Sequence, residues 1–232
     1  MNPENQARID IDKMLKESGW IIQDHDKIRL SEGLGIAIRE YDTSNGPVDY
    51  ALFVDENPVG VVEAKKTSIP LIGITEQSER YLSGLEEKFP DDTPSPCFSY
   101  ETTGIKTIFS DRRDPNYRSR EVFTFHRPEF LHNLLKSKKT LRANLTNIPT
   151  LDTSTLRKCQ KEAIEGLESS FSNNDPRSLI QMATGAGKTF AAVTSVYRLL
   201  KFAKAKRVLF LVDRNNLGTQ ALKDVSLSIP AK

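Results

Sequence analysis

At 232 residues with 38% hydrophobic content, the chain is long enough for one large domain or two modest ones with real cores, which excludes a disordered segment. Lysine plus arginine (33) nearly cancels aspartate plus glutamate (31), so the net charge of +2 excludes a protein that grips nucleic acid by bulk charge. Two widely spaced cysteines, Cys97 and Cys159, match no disulfide framework or metal spacing, no apolar run nears the roughly 20 residues of a membrane span, and "MNPENQARIDID" lacks a signal peptide's apolar stretch. The expectation is a soluble, cytoplasmic protein.

Residues 4–18 place Ile9, Ile11, Met14 and Leu15 at mostly helical spacing, with Gly19 as a stop and Trp20 as a core anchor. After a polar stretch containing His25, "GIAIREYD" and "VDYALFV" read as strands, "ENP" as a turn and "VGVVEAK" as a third strand, an antiparallel meander. "LIGITEQSERYLSGLEEKF" has helical periodicity, "PDDTPSPC" reads as a surface loop, and "CFSYETT" and "IKTIFSD" as strands. "RPEFLHNLLKSKK" is a short helix with a basic end, and the polar segment "TLRANLTNIPTLDTST" reads as a linker, dividing the chain into domains of 1–145 and 146–232. Beyond it follow the helix "TLRKCQKEAIEGLESSF", the strand "SLIQMA", the loop "TGAGKT", the helix "FAAVTSVYRLLKFA", the strand "RVLFLVD" and a last helix from about Asn216. Strand, glycine loop, helix, strand is the order of a parallel nucleotide-binding sheet.

"ATGAGKT" is the strongest motif. Gly185 and Gly187 let the loop from Thr184 through Ala186 turn its N–H groups around phosphate oxygens, at the positive end of the following helix. Lys188 can reach the outer phosphates and the Thr189 hydroxyl can ligate Mg2+. Met182 stands where the general phosphate-loop pattern has glycine. "MATGAGKT" resembles the first motif of superfamily 2 helicases and DNA translocases, and "LRKCQKEAI" their Q-motif. That resemblance implies ATP as cofactor, with Arg157 near the nucleotide and Gln160 pairing with the adenine edge; the plainer reading of Gln160 is an exposed helix residue. "VLFLVDRNNLGTQ" is similar to motif Ia, which would set Asp213, Arg214 and Asn215 near a DNA backbone. The second acidic motif and second lobe that such motors need do not occur before Lys232, so the expectation is the opening part of a motor, with weak nucleotide binding and no hydrolysis.

In the first half, Asp49, Glu63 and Lys65 flank an apolar hairpin. Glu63 and Lys65 are two apart on a strand and share a face. Opposed carboxylates repel unless a divalent cation lies between them, oxygen ligands suit Mg2+, and a neighbouring lysine can stabilise phosphate charge or orient a water. A regular four-residue loop over "DENP" would set Asp49 opposite Ala64 and spoil the site, so this chemistry predicts an odd loop or a β-bulge between Asp49 and Glu63. On their letters alone, such residues also fit a solvated sheet face.

"GPVDYALFVDENPVGVVEAKKT" resembles the core of PD-(D/E)XK nucleases, with Asp49 as metal aspartate and Glu63-Ala64-Lys65 as the E-x-K element. "QSERY" matches the Q-x-x-x-Y element of RecB-like nucleases, Gln77 and Tyr81 lying on one helix face. The family also implies an acidic metal ligand on the first helix; Glu4 is the candidate, with Asp10 and Asp12 competing. His25, His126 and His132 read as structural or exposed, and Lys136, Lys138, Lys139, Arg142, Arg118 and Arg120 as solvated cations with a phosphate path as the alternative. An E-x-K nuclease followed by a superfamily 2 motor is the domain order of type I restriction enzyme R subunits. The implied fold is α/β, a nuclease with a central mixed sheet and then the start of a RecA-like parallel-sheet motor. Implied partners are double-stranded DNA and the methyltransferase (M) and specificity (S) subunits. The alternatives are a superfamily 2 helicase with a non-cleaving DNA-binding front domain and a non-catalytic assembly module.

Overall fold

The computed structural model describes residues 3–66, 71 and 76–211, with the side chains of 3–6 outside the description. The helix expected from Asn216, and Asp213, Arg214 and Asn215, lie outside the described residues. Two compact units form, one comprising residues 1–113 and 117–138 and the other 114–116 and 139–232.

The first unit is built on a seven-stranded mixed sheet whose spatial order follows the chain: β1 (Ile21–Asp24), β2 (Gly35–Thr43), β3 (Gly46–Val54), β4 (Asn57–Ala64), β5 (Phe98–Thr102), β6 (Thr107–Asp111) and β7 (Arg120–Val122). The central meander β2–β3–β4 is antiparallel, as its alternation predicts, while β1 joins β2 and β5 joins β4 in parallel. Parallel neighbours need a crossover, and α2 (Glu76–Glu86) lies between β4 and β5 in the chain. One face carries α1 (Pro3–Glu17) and α3 (Pro128–Leu135), whose Ile11, Leu15 and Leu131 pack with Tyr50, Leu52, Val62 and Tyr100. The other face packs Leu82 and Leu85 of α2 on Ile36, Ala51, Phe53 and Val61. Gly19 ends α1 with a φ of 88°, its N–H donating to the Lys16 carbonyl and that of Trp20 to the Leu15 carbonyl, a Schellman closure that seats Trp20 in the core.

β1 and β7 run through stretches not expected as strands. Each has only a few residues, and its extended form is imposed by the neighbour it pairs with rather than by its own pattern. The β3–β4 turn is a two-residue one: Asp55 and Glu56 have φ of 52° and 63°, the left-handed pair that matches hairpin twist.

The second unit contains α4 (Leu141–Leu145), inside the segment read as a linker, α5 (Lys158–Ser172) and α6 (Lys188–Lys201). Ile164, Ala191 and Leu151 form its small core. The segments read as strands, 178–183 and 207–213, carry no strand pairing among the described residues, and Leu179, Leu209 and Leu211 are exposed. Two isolated parallel segments do not hold together without further strands to pair with, and none is available among this unit's described residues. No described helix is long and apolar enough to cross a membrane.

Candidate active site

The site on the first unit depends on one irregularity. Near the turn, Val54 pairs with Asn57 and Phe53 with Pro58; past a register shift, Leu52 pairs with Gly60, Ala51 with Val61 and Tyr50 with Val62. Val59 is the extra residue of a β-bulge. Continued by one step, the shifted register sets Asp49 opposite Glu63; without the bulge Glu63 and Lys65 would turn to the other face. This is the bulge that the chemistry of the hairpin predicts. Gly60, beside it, is required by close packing: a Cβ there would lie 2.2 Å from the Phe98 carbonyl oxygen of β5.

Asp49 Oδ2 accepts the Ala64 N–H at 2.8 Å, and Oδ1 lies 3.5 Å from the Arg8 guanidinium of α1. Glu63 Oε1 accepts from Gln77 Nε2 at 2.6 Å and from Lys65 Nζ at 3.2 Å, and Lys65 also donates to Gln77 Oε1 at 2.6 Å. Gln77 therefore bridges the acid and the amine, and its Nε2 reaches the Tyr81 hydroxyl at 3.3 Å. The Lys65 backbone is fixed in turn by its N–H on the Thr102 carbonyl. Glu63, Lys65, Gln77 and Tyr81 thus form one hydrogen-bonded cluster, and Asp49 adjoins it through the Ala64 N–H between Glu63 and Lys65.

Glu63 is only 7% exposed, and burial together with the nearby negative charge of Asp49 pushes its carboxyl up to about 7, against the opposing pull of Lys65. A buried glutamate that resists ionisation beside an aspartate is a hard-oxygen donor set that a divalent cation would relieve. Among the described residues no group of three or more acidic, histidine or cysteine side chains converges as a metal cage. An ion here would take these two carboxylates and complete its shell with water or phosphate oxygen, as Mg2+ commonly does.

Of the first-helix acids, Glu4 lies in the first turn of α1 with its side chain outside the described residues. Asp12 is engaged elsewhere, gripped by Arg39 and by the Tyr50 hydroxyl at 2.8 Å. Two residues that sequence reasoning missed also reach the cluster: Glu101 of β5 pairs beside Glu63 in the ladder, and Ser78 of α2 donates to its Oε1 at 2.9 Å. The signal lay in "CFSYETT", where Ser99 and Glu101 alternate with Phe98 and Tyr100 on a wholly buried strand. His126 is structural: stacked against Phe130 and bonded to the Tyr100 hydroxyl, it is held neutral by burial, down to about 4.

In the second unit, Gly185 and Gly187 adopt φ of 77° and 85°, and α6 begins at Lys188. Lys188 Nζ rests on the Met182 and Ala183 carbonyls, and Thr184, Ala186 and Thr189 lie along the same loop and first turn. Arg157 donates to the Gly185 carbonyl at 3.1 Å. Gln160 is not the exposed helix residue of the plainer reading. It is 5% exposed, its Oε1 accepts the Arg157 N–H, and its Nε2 donates to the Ala186 carbonyl at 3.1 Å. Burial of an amide favours such full pairing, so Gln160 supports the loop from beneath.

A mixed sheet whose bulged hairpin gathers an aspartate, an E-x-K element and a Q-x-x-x-Y helix lies in a chain that also carries a GAGKT loop. Two family models match accordingly: "Type I restriction enzyme EcoKI endonuclease subunit second domain" over residues 22–96, and "Type III restriction enzyme, res subunit" over residues 153–232. The EcoKI type I restriction enzyme endonuclease subunit of Escherichia coli K12 is 29% identical over 94% of this chain and 23% of its own length. That of EcoAI from Escherichia coli is 46% identical over 26% of this chain and 8% of its own. A solved chain described as an HsdR-subunit fragment of a type I restriction enzyme from Vibrio vulnificus YJ016 aligns over 89% of this chain and 39% of its own, at 23% identity and a TM-score of 0.42. The chain is similar to type I restriction enzyme endonuclease (R) subunits and spans less than a quarter of the length of the curated relatives it matches.

Proposed function

We propose that this chain contributes the DNA-cleaving unit, and the nucleotide-binding start of the motor, to an R subunit that cuts double-stranded DNA with Mg2+ and moves along it with ATP. The domains divide near residue 145, a reading supported by the compact units separating at Lys138 and Lys139. The observation that carries the cleavage reading is the Val59 bulge, because it unites Asp49 with Glu63 and Lys65. Asp49 and Glu63 would hold Mg2+, with Glu4 as the first-helix candidate; the ion supplies Lewis acidity and a water of lowered pKa. Lys65 stabilises the charge that develops on the phosphate, Gln77 holds that amine against Glu63, and Tyr81 fixes Gln77.

The loop from Thr184 to Thr189 would take the ATP phosphates, with Lys188 exchanging its carbonyl contacts for phosphate oxygens. Arg157 and Gln160 set the shape of that loop, and adenine pairing by Gln160 would require it to give up its bonds to Arg157 and Ala186. By resemblance to its family, the subunit works in the cytoplasm with methyltransferase (M) and specificity (S) subunits. The test is plasmid cleavage by the full-length subunit in its complex: Lys65→Ala should abolish nicking while ATP hydrolysis persists. Cleavage retained in Lys65→Ala would refute the assignment and favour a domain that grips DNA or serves only in assembly.

A further inference from the structure

We propose that Arg8 is a phosphate-contacting residue of this nuclease site, a role that rests on the cleavage reading above. The Arg8 side chain is 48% exposed, with one nitrogen 2.6 Å from Glu40 Oε1 and another 3.5 Å from Asp49 Oδ1. The two contacts differ in kind. The first is a charge-assisted hydrogen bond; the second is a charge contact outside good hydrogen-bond length. Glu40 anchors one edge of the guanidinium, and the other edge rests at the acid pair with donors to spare.

The anchor itself is unusual. Arg39 pairs with Tyr50 and Tyr41 with Val48, which sets Glu40 opposite Asp49 in the middle of β2, yet Glu40 has a φ of 49°. A left-handed non-glycine residue inside a strand is strained, and such strain collects where function requires a particular side-chain direction. Stability does not account for it, because an ion pair exposed at both ends contributes about 0–1 kcal/mol.

Lys65, assigned above to the reacting phosphate, is held further inward. It is 16% exposed and bonded to both Glu63 and Gln77, whereas the Arg8 guanidinium reaches both solvent and Asp49. Once a cation neutralises Asp49, the Arg8–Asp49 attraction weakens, and the planar fork of Arg8, still held by Glu40, is available to a phosphate oxygen next to that ion.

The experiment uses the 232-residue chain and a short DNA duplex followed by fluorescence anisotropy across a salt series, with Mn2+ binding measured calorimetrically without DNA. Arg8→Ala should weaken duplex binding about tenfold and reduce the salt slope by about one counterion, while Arg8→Lys keeps the slope. Mn2+ affinity should stay the same or rise in Arg8→Ala, since a competing cation leaves Asp49. An unchanged slope, a parallel loss of Mn2+ binding, or no measurable duplex binding by the wild-type chain would overturn the proposal. Asp49→Asn separates the two readings: if it leaves Mn2+ binding intact the nuclease site itself fails, whatever Arg8 does.

Discussion

Replacing Glu63 with glutamine should stabilise the metal-free protein at pH 8. The Glu63 carboxyl stands at about 7 instead of its ordinary 4.5, and at about 1.36 kcal/mol per pH unit the ionised form costs the fold roughly 3 kcal/mol. The sign follows from proton binding. The folded state holds the extra proton between pH 4.5 and 7, so stability falls as pH rises through that window, and the full penalty is present above 7. Glutamine removes this charge and its oxygen can still accept from Gln77 and Lys65, and the pull of Lys65 on the carboxylate already acts in setting the value of about 7. The net expectation is a Glu63→Gln protein about 3 kcal/mol more stable than wild type at pH 8 in EDTA, with the difference vanishing toward pH 4.5. Urea denaturation followed by tryptophan fluorescence isolates the right unit, because Trp20 is the single tryptophan and is buried in the first unit's core. A variant equal to or less stable than wild type at pH 8, or an offset that does not change with pH, would refute the raised Glu63 carboxyl and the burial, beside Asp49, that causes it. Mn2+ should reverse the order by stabilising wild type alone.

Gly60→Ala should destabilise the first unit by about 2 kcal/mol or more in the same denaturation assay, because its Cβ would collide with the β5 backbone at Phe98. Gly187→Ala should weaken binding of a fluorescent ATP analogue at least about tenfold, since the residue holds a φ of 85° and the new Cβ would lie 2.2 Å from Gln160 Nε2. His126 stands at about 4, below the usual 6.5, so its stabilising contribution is full above pH 6.5 and lost as pH falls toward 4. His126→Phe should therefore flatten acid destabilisation in that interval, as read by Trp20 fluorescence, and an unchanged acid limb would show that His126 is not held neutral.

The meander and most helices are legible because their alternation and periodicity are strong, and Gly19 announces the end of α1 through backbone chemistry alone. The bulge was legible in a different way. Pro58 and Gly60 flank Val59 as residues that accompany bulges but do not fix a register, and the hairpin turn uses Asp55-Glu56 instead of an Asn-Gly pair. Only the requirement that Asp49 and Glu63 share a face predicts it. β1 and β7 were hidden because pairing, not composition, makes them strands. The apolar runs flanking the glycine loop misled for the complementary reason, since composition cannot supply the neighbours a parallel strand needs. The burial of Gln160 was not legible, because a motif fixes which residue is present but not which of its possible hydrogen bonds is made.

Across the middle of the first unit's sheet, adjacent strands set Glu40, Asp49, Glu63 and Glu101 side by side. Like charges directly opposite one another destabilise a sheet, so a fold selected for stability alone would not keep this row. Each acid instead has a donor supplied from a neighbouring element. Arg8 of α1 serves Glu40 and Asp49, Lys65 and Gln77 serve Glu63, and Ser78 serves Glu101. The helix that supplies Gln77 and Ser78 is itself braced: Asn45 donates to the Arg80 carbonyl, and Glu79 accepts from Tyr117 and faces Arg112. If the row were only an electrostatic accident, loosening α2 with Asn45→Ala would change stability alone. If it is a site held ready for a cation, the same substitution should also lower Mn2+ affinity, because α2 determines where Gln77 holds Glu63.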